Sequence, residues 1–289
     1  MAETRMRTID HPGPVVESPV QSLPTRILTV KARIPAGVSL LDGFADLLRH
    51  YGCQSAVARL GSSRLWPVAY VLPAISRSPD HAVYYSERHC PEHPLSLTSG
   101  AVTVGSREGQ TWLHCHARWQ DEAGIWHCGH LLPDETMLAD HLDVELTLLL
   151  DAGFVVCYDT HTNFSLFKPQ PMQALGYADV APEHGLCVRI APNVDLCQAI
   201  EAICQDNRLT EVRILGGVGS TIGAVFDDGR VVEPFVTELM IEKGHVVSRH
   251  GRAQAHLEVA LIDFQGGVHR GTLARGQNPV LVTCEFVLA

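Results

Sequence analysis

Two neighbouring segments, His114-Cys115-His116 and His127-Cys128-Gly129-His130, concentrate imidazole and thiol side chains in a short stretch of chain. Neutral imidazole is a preferred ligand of zinc and of similar divalent metals. Three protein ligands with a fourth position left open are typical of a catalytic zinc site, in which the metal acidifies a bound water. The spacing therefore predicts a divalent-metal centre, with zinc as the first candidate and cobalt, nickel and iron as alternatives.

The two segments must lie on adjacent strands for this chemistry to arise. Alternate side chains of a strand share a face, so His114 and His116 project together. Residues 120–124 predict the loop of a β-hairpin, with His130 opposite His114 and Cys128 opposite His116. We therefore expect His114, His116 and His130 to converge on one metal. The alternative is a hairpin whose histidines are solvated or hydrogen bonded and bind nothing.

Length and composition describe an ordinary globular protein. The chain has 289 residues, of which 46% are hydrophobic and 19% charged, enough for one large or two medium domains. Its nine cysteines form no C-x-x-C pair, which predicts reduced thiols and a cytoplasmic location. We expect Cys115 and Cys128 to be small buried apolar residues and not ligands.

Charge and hydropathy limit the classes of binding partner that we expect. Residues 1–24 lack the apolar core of a signal peptide, and no later stretch has about eighteen uninterrupted apolar residues. We therefore expect no association with a membrane. The formal net charge is −10 and no basic run is present, whereas affinity for nucleic acid comes mainly from Lys and Arg contacts to phosphate. Nucleic acid is consequently not the expected partner.

The sequence contains an internal repeat. Residues 189–196 repeat the pattern of residues 33–40, and each copy contains a predicted helix N-cap, Ser39 in the first and Asp195 in the second. The apolar spacing predicts helices over 39–50 and 195–206. In each copy the next strand ends in glycine, at Gly61 and at 216–217. The hairpin 111–132 then resembles 253–273. These parallels predict a tandem duplication.

The duplication predicts an α+β protein of two similar domains, each a mostly antiparallel β-sheet flanked by helices. The predicted boundaries are a flexible N-terminal arm at 1–24, a first domain with the metal site at 25–168, a linker at 169–184 and a second domain at 185–289. Residues 76–93 have no counterpart in the second half and carry three further histidines. This insertion is either a lid beside the metal or a surface loop.

Each half resembles the plant and prokaryote conserved (PPC) domain, which occurs alone in many bacterial and archaeal proteins and fused to AT-hooks in plants. The resemblance rests on Arg33-Ile34-Pro35-Ala36-Gly37, Gly61-Ser62, Leu97-Thr98-Ser99-Gly100, and most specifically on His114-Cys115-His116 with Gly129-His130-Leu131. It implies an α+β fold, assembly as a trimer and a metal-binding role for His114, His116 and His130.

The second copy departs from the motif of the first. Aligned on a shared histidine, Gln254 and His256 replace the H-x-H pair, and Thr272 replaces the third histidine. One imidazole cannot hold the same ion, so we expect a metal in the first half alone. The homo-oligomer would then be a trimer or a pseudo-symmetric assembly of the two halves.

Four charged residues are candidates for work beside the metal. Residues 141–146 alternate polar and apolar, so Asp143 and Glu145 share a face, and Glu145, followed by Asp143, is the predicted general base. Arg59 and Arg64 flank a glycine and could bind an anionic substrate through the guanidinium. The alternative for all four is a solvated surface.

These residues favour a cytoplasmic metalloprotein that acts on or senses a small anionic molecule, as a metal-dependent hydrolase or hydratase if it is an enzyme. A DNA-associated transcriptional regulator is the alternative, because members of the resembled family often carry that label. The chain has no Arg-Gly-Arg-Pro AT-hook to support it. A third hypothesis is a structural oligomerisation module, which would bind no metal.

Overall fold

The computed structural model describes residues 6–173, 183–249 and 251–289. The elements of the first half are β1 (Val20–Ile34), α1 (Leu40–His50), β2 (Ser55–Leu60), β3 (Ser63–Leu65), β4 (Tyr70–Val71), β5 (Pro73–Ile75), β6 (Val83–Tyr85), β7 (Leu95–Arg107), β8 (Gln110–Gln120), β9 (Trp126–Leu131), β10 (Leu142–Leu149), β11 (Ala152–Tyr158) and β12 (Ser165–Pro171). Those of the second half are β13 (Glu183–Ile190), α2 (Leu196–Asp206), β14 (Glu211–Val225), β15 (Val231–Arg249), β16 (Arg252–Asp263), β17 (Val268–Thr272) and β18 (Val280–Leu288).

Strands of both halves join in one 16-stranded, mostly antiparallel sheet. Its centre is the antiparallel pair β1–β13, from which the order runs β10, β2, β7, β8, β9 on one side and β18, β14, β15, β16, β17 on the other. The prediction of two separate sheets flanked by helices is therefore corrected to one shared sheet, with two helices in the described residues. Pairing β1 with β13 covers two strand edges that would otherwise be exposed.

Both helices begin where the sequence predicts. The Ser39 side chain accepts a hydrogen bond from the backbone N–H of Asp42, and Asp195 accepts one from Gln198. These bonds satisfy backbone donors that the first turn leaves unpaired. The apolar stripe of α1 is buried against the strands of the first half, and that of α2 against the strands of the second.

One predicted strand end is wrong. The strand that contains Gly216 and Gly217 does not stop there, because β14 continues to Val225 through a bulge. Both glycines have positive φ, +66° and +108°, which side chains disfavour. A Cβ on Gly216 would lie 2.7 Å from Val57 of β2, so glycine also lets the two halves approach closely.

The strands of each half of the chain form one half-sheet of the shared sheet. The inner faces of the two half-sheets pack on each other, with the helices outside. Ala101 of the first half belongs to a buried cluster with Val218, Met240 and Ala260 of the second. The apolar side chains on the other face of β7 pack in the same cluster as α1. The layer between the half-sheets is where side chains of both halves meet.

Parts of the predicted N-terminal arm (1–24) and of the predicted linker (169–184) belong to strands. Residues 20–24 belong to β1, and the preceding segment packs on the second half: Arg7 donates to the Val232 carbonyl, and the Asn193 side chain bonds the backbone of Ile9 in both directions. Residues 169–171 belong to β12 and 183–184 to β13. Residues 1–5 and 174–182, where the rest of these predictions falls, lie outside the described residues. Neither described helix has the length and apolar character to cross a membrane.

Candidate metal centre

Strands β8 and β9 form the predicted hairpin, but its register differs from the prediction. His116, and not His114, lies opposite His130. The loop comprises 121–125, the same length as the predicted loop 120–124 but displaced by one residue, and it is closed by a bond from the Ile125 N–H to the Asp121 carboxylate at 2.8 Å. A shift of two residues keeps every side chain on its predicted face.

The hairpin brings His114, His116 and His130 together. The Nε2 atoms of His114 and His116 are 3.1 Å apart, and His116 Nε2 is 3.3 Å from His130 Nδ1. One ring nitrogen of each lies within 4.8 Å of the others. Ligand atoms about 2.0–2.1 Å from a tetrahedral zinc are themselves separated by roughly 3.3 Å. The donor set therefore has the dimensions that a zinc-sized cation needs.

Hydrogen bonds fix the tautomers of two of the rings. His116 Nδ1–H donates to the Leu239 carbonyl at 2.8 Å, and His114 Nδ1–H donates to the Glu285 carboxylate at 2.8 Å. A neutral imidazole has one N–H, so both Nε2 atoms carry lone pairs and face each other at 3.1 Å. Two facing lone pairs repel unless a cation lies between them. Donation of the second ring N–H to a carbonyl or carboxylate is the usual support of a metal-bound histidine.

Burial keeps the ligands in the form that binds metal. It lowers the pKa of His116 well below the usual range, and a positive charge on either neighbouring ring would lower it further. Burial is also the main cause that lowers the pKa of His130 to about 3, and a positive charge on His114 would act in the same direction. Both rings are therefore neutral near pH 7, as metal coordination requires.

A carboxylate from the second half adjoins the three histidines. Glu238 Oε1 lies 3.9 Å from His116 Nε2 and 3.8 Å from His130 Nδ1. Its Oε2 is buried without a hydrogen-bond partner among the described residues, and burial raises the pKa of Glu238 to about 8. An orphaned buried oxygen is costly, and a cation held by the histidines would compensate it.

Sequence reasoning missed Glu238 and Glu285 because both come from the other half of the chain. No short motif links them to the histidines. The available signal is a lone acid in an apolar strand, as in Glu238-Leu239-Met240-Ile241 and Cys284-Glu285-Phe286-Val287. A buried acid of that kind requires a partner.

A buried polar network supports Glu285 from behind. Its Oε1 accepts a bond from the Thr283 hydroxyl at 2.9 Å, and Arg189 Nε donates to that hydroxyl at 3.3 Å. Arg189 also donates to Asp159 at 3.1 Å, and Lys168 lies 3.0 Å from the same carboxylate. The orientation of His114 therefore depends on a chain of buried contacts in both halves.

The predicted acid–base residues lie elsewhere. Asp143 is exposed and paired with Arg33 at 2.6 Å, and Glu145 is exposed on β10 opposite Lys31 and Arg59. Neither lines the cavity beside the histidines. The alternation that selected them places both on a face in contact with solvent.

The two predicted substrate arginines also lie outside the cavity. Arg59 crosses to the second half, where its guanidinium donates to the carbonyls of Glu242 and of Ile214, the latter at 3.1 Å. Burial lowers the pKa of Arg59. Arg64 is exposed and paired with Asp140 at 2.7 Å. The structure thus gives both arginines protein partners.

The corresponding positions of the second half differ from the predicted alignment by two residues. Thr272 lies opposite Glu258, as His130 lies opposite His116. Glu258 therefore takes the place assigned to His256 and is paired with Lys243 at 3.6 Å. His256 is exposed and stacks on His245. Among the described residues, the first-half histidines are the group arranged to hold a metal.

A cavity of about 370 Å³ adjoins the three histidines. Both halves line it, together with residues 83–85 of the 76–93 insertion. The histidines of that insertion do not join the centre: His81 contacts the Asn163 carbonyl, His89 stacks on Tyr70, and His93 lies on the surface. The insertion contributes a wall of the cavity and no metal ligand.

Two further buried histidines predict how stability depends on pH. Burial lowers the pKa values of His11 and His161 from 6.5. Below about pH 6.5 the unfolded chain then binds protons that the folded chain does not, so stability falls as the pH falls, by up to about 1.4 kcal/mol per pH unit for each. In urea titrations from pH 7 to 5, His11→Gln should reduce this loss, whereas His93→Gln at an exposed site should not. Equal slopes for the two variants would contradict the assignment.

Comparison with known proteins relates the second half to one family. The Plants and Prokaryotes Conserved (PCC) domain matches residues 178–289. No curated protein shows significant similarity to the chain. A PPC protein from Pyrococcus horikoshii is 16% identical with a TM-score of 0.40, over 55% of this chain and 100% of its own.

Two other solved structures give similar values. A metal-containing protein from Archaeoglobus fulgidus is 15% identical with a TM-score of 0.39, over 56% of this chain and 99% of its own. A protein from Ralstonia eutropha provisionally assigned as DNA-binding is 13% identical with a TM-score of 0.38, over 48% of this chain and 89% of its own. The family match includes Glu238 and Glu285, whereas the three histidines precede it. The similarity to the Plants and Prokaryotes Conserved family therefore covers residues 178–289 of this chain.

Proposed function

We propose that this protein holds one divalent metal, zinc in the first instance, on His114, His116 and His130, and that it acts on or senses a small molecule in the adjoining cavity. The observation that carries the proposal is the distance of 3.1 Å between the Nε2 atoms of His114 and His116. The Nδ1–H of each ring donates to a fixed acceptor, the Glu285 carboxylate for His114 and the Leu239 carbonyl for His116. A metal in this position would supply Lewis acidity and lower the pKa of a bound water. Hydrolysis or hydration is the simplest chemistry of that kind.

The surrounding residues have distinct tasks under this proposal. Glu285 and the Leu239 carbonyl orient His114 and His116. Glu238 is the carboxyl group placed to hold or move a proton beside the centre, since it lies within 4 Å of two ring nitrogens. We assign Glu238 the task that the sequence suggested for Glu145 and Asp143, because those two residues do not line the cavity.

Elemental analysis tests the metal. Protein purified without a metal-affinity tag should contain about one divalent ion per chain, or should take up one equivalent of Zn²⁺ or Co²⁺ after dialysis against chelator. A protein that neither retains nor takes up a metal would refute the proposal and favour a structural module.

DNA binding is the competing function and predicts a different result. A chain of net charge −10 must overcome repulsion to approach duplex DNA. We expect no saturable binding below about 10 μM near 150 mM salt, compared with roughly 10⁻⁸ M or tighter for specific complexes. Fluorescence titration with labelled duplexes measures this. Tight, sequence-selective binding would rank the regulator above the metal-dependent function.

A further inference from the structure

We propose that the cavity selects a small, largely apolar molecule that presents a single oxygen-donor group to the metal centre. This inference rests on the proposed function and specifies its ligand. The volume of about 370 Å³ equals that of about a dozen waters at roughly 30 Å³ each. It lies within the usual range for small-molecule sites, and the three histidines are part of its lining.

Much of the cavity wall is aromatic or aliphatic. Aromatic rings come from three separate segments, as Tyr85 of β6, Trp112 of β8 and Phe164 before β12. Val156 and Leu281 add aliphatic surface from the two halves. A ligand body that covers these groups gains by removing apolar surface from water.

Three hydroxyl groups on the wall are already hydrogen bonded within the protein. The Thr237 hydroxyl bonds the Thr221 backbone and side chain, and the Thr283 hydroxyl donates to Glu285. Ser220 accepts a bond from the Val282 N–H. A sugar or another polyhydroxylated molecule would lose its hydration without finding partners here. The histidines, the orphaned Glu238 oxygen and the hydroxyl of Tyr85, whose ring lies 5.4 Å from that of His130, remain for the polar end of the ligand.

Charge sets a further limit on the ligand. Glu285, hydrogen bonded to His114, already offsets part of the charge of a metal on the histidines, so the site has less net positive charge to offer a dianion such as a phosphate monoester. Arg107, the cationic side chain on the wall among the described residues, is exposed over Trp112, where solvent competes for it. A neutral or singly charged head on an apolar body fits these conditions.

Probes on the Co²⁺-loaded protein test this selectivity. Benzohydroxamic acid and acetohydroxamic acid offer a metal the same oxygen donors and differ in the apolar body. Titration followed by the visible spectrum of Co²⁺ should show benzohydroxamic acid binding at least about tenfold tighter, with inorganic phosphate weakest. Tryptophan fluorescence, to which Trp112 on the cavity wall contributes, provides a second readout of occupancy.

A pair of variants locates the effect in the cavity. Val156→Trp fills the cavity, whereas Val231→Trp adds the same side chain at an exposed valine away from it. Val156→Trp should keep one equivalent of Co²⁺ and lose most of the preference for the phenyl probe. Val231→Trp should keep both.

The outcomes separate the two proposals. Stoichiometric Co²⁺ with equal affinity for the two hydroxamic acids in the unmodified protein would overturn this inference and leave the metal centre standing. A protein that binds no Co²⁺ would refute both. If Val156→Trp fails to fold, the comparison of probes on the unmodified protein still decides.

Discussion

Replacement of His116 by Ala should lower the affinity for Zn²⁺ by at least about a hundredfold, because this ring is the central member of the three. Its Nε2 lies 3.1 Å from the ligand nitrogen of His114 and 3.3 Å from that of His130. Without it, two nitrogens remain, which is one fewer than a catalytic zinc site supplies. Competition with a chromophoric chelator measures the change in affinity.

The matched control lies on the same hairpin. His127 of β9 is on the opposite face and bonds the Asp121 carboxylate at 2.9 Å. His127→Ala should keep the metal affinity of the unmodified protein. Equal losses in the two variants would show that the hairpin binds metal nonspecifically or not through the assigned face.

Local sequence signals predicted the histidine hairpin and the helix starts. Ser39 and Asp195 cap their helices through bonds that span three residues, so neighbouring sequence is enough to identify them. The convergence of His116 and His130 depended on strand parity and survived an error of two residues in register. Features that depend on the two-residue period of a strand, or on hydrogen bonds between residues close in sequence, could therefore be predicted without a structure.

The carboxylates of the site could not be found in the same way, and Asp143 shows why. Asp143 lies opposite Arg33 in the β1–β10 pair, and Glu285 lies opposite Arg189 in the β13–β18 pair. Asp143 and Glu285 therefore occupy equivalent strand positions in the two halves. The sequence pointed to Asp143, which is in the half where this position faces solvent. Which copy faces the histidines depends on how the half-sheets pack, and no short segment encodes that.

Burial distinguishes these two acid–arginine positions energetically. Arg33 and Asp143 are exposed, and solvent screens an exposed ion pair so that it contributes little to stability. Arg189 is fully buried, together with Asp159 and Glu285. Removing one member of a buried network leaves the others with uncompensated charge. The repeat therefore provides an internal control for the effect of burial.

Arg189→Met should destabilise the metal-free protein by about 3–5 kcal/mol, because it removes the guanidinium that joins Asp159 to Thr283. Although burial alone raises the pKa of Asp159, the bond from Lys168 and the charge of Arg189 lower it overall from 3.8. A depressed carboxyl pKa contributes stability that is present above about pH 4 and lost as the pH falls further. Urea unfolding at pH 7 therefore measures the full contribution.

Arg33→Met is the control, since it makes the same chemical change at the equivalent exposed position and should destabilise the protein far less than Arg189→Met. The chelator competition adds a readout that lost stability alone would not move. Arg189→Met should weaken Zn²⁺ binding, because Thr283 and Glu285 lose the contact that holds them toward His114. Arg33→Met should leave Zn²⁺ affinity unchanged. Equal destabilisation by the two variants, or full metal affinity in Arg189→Met, would show that the buried network does not position the ligand.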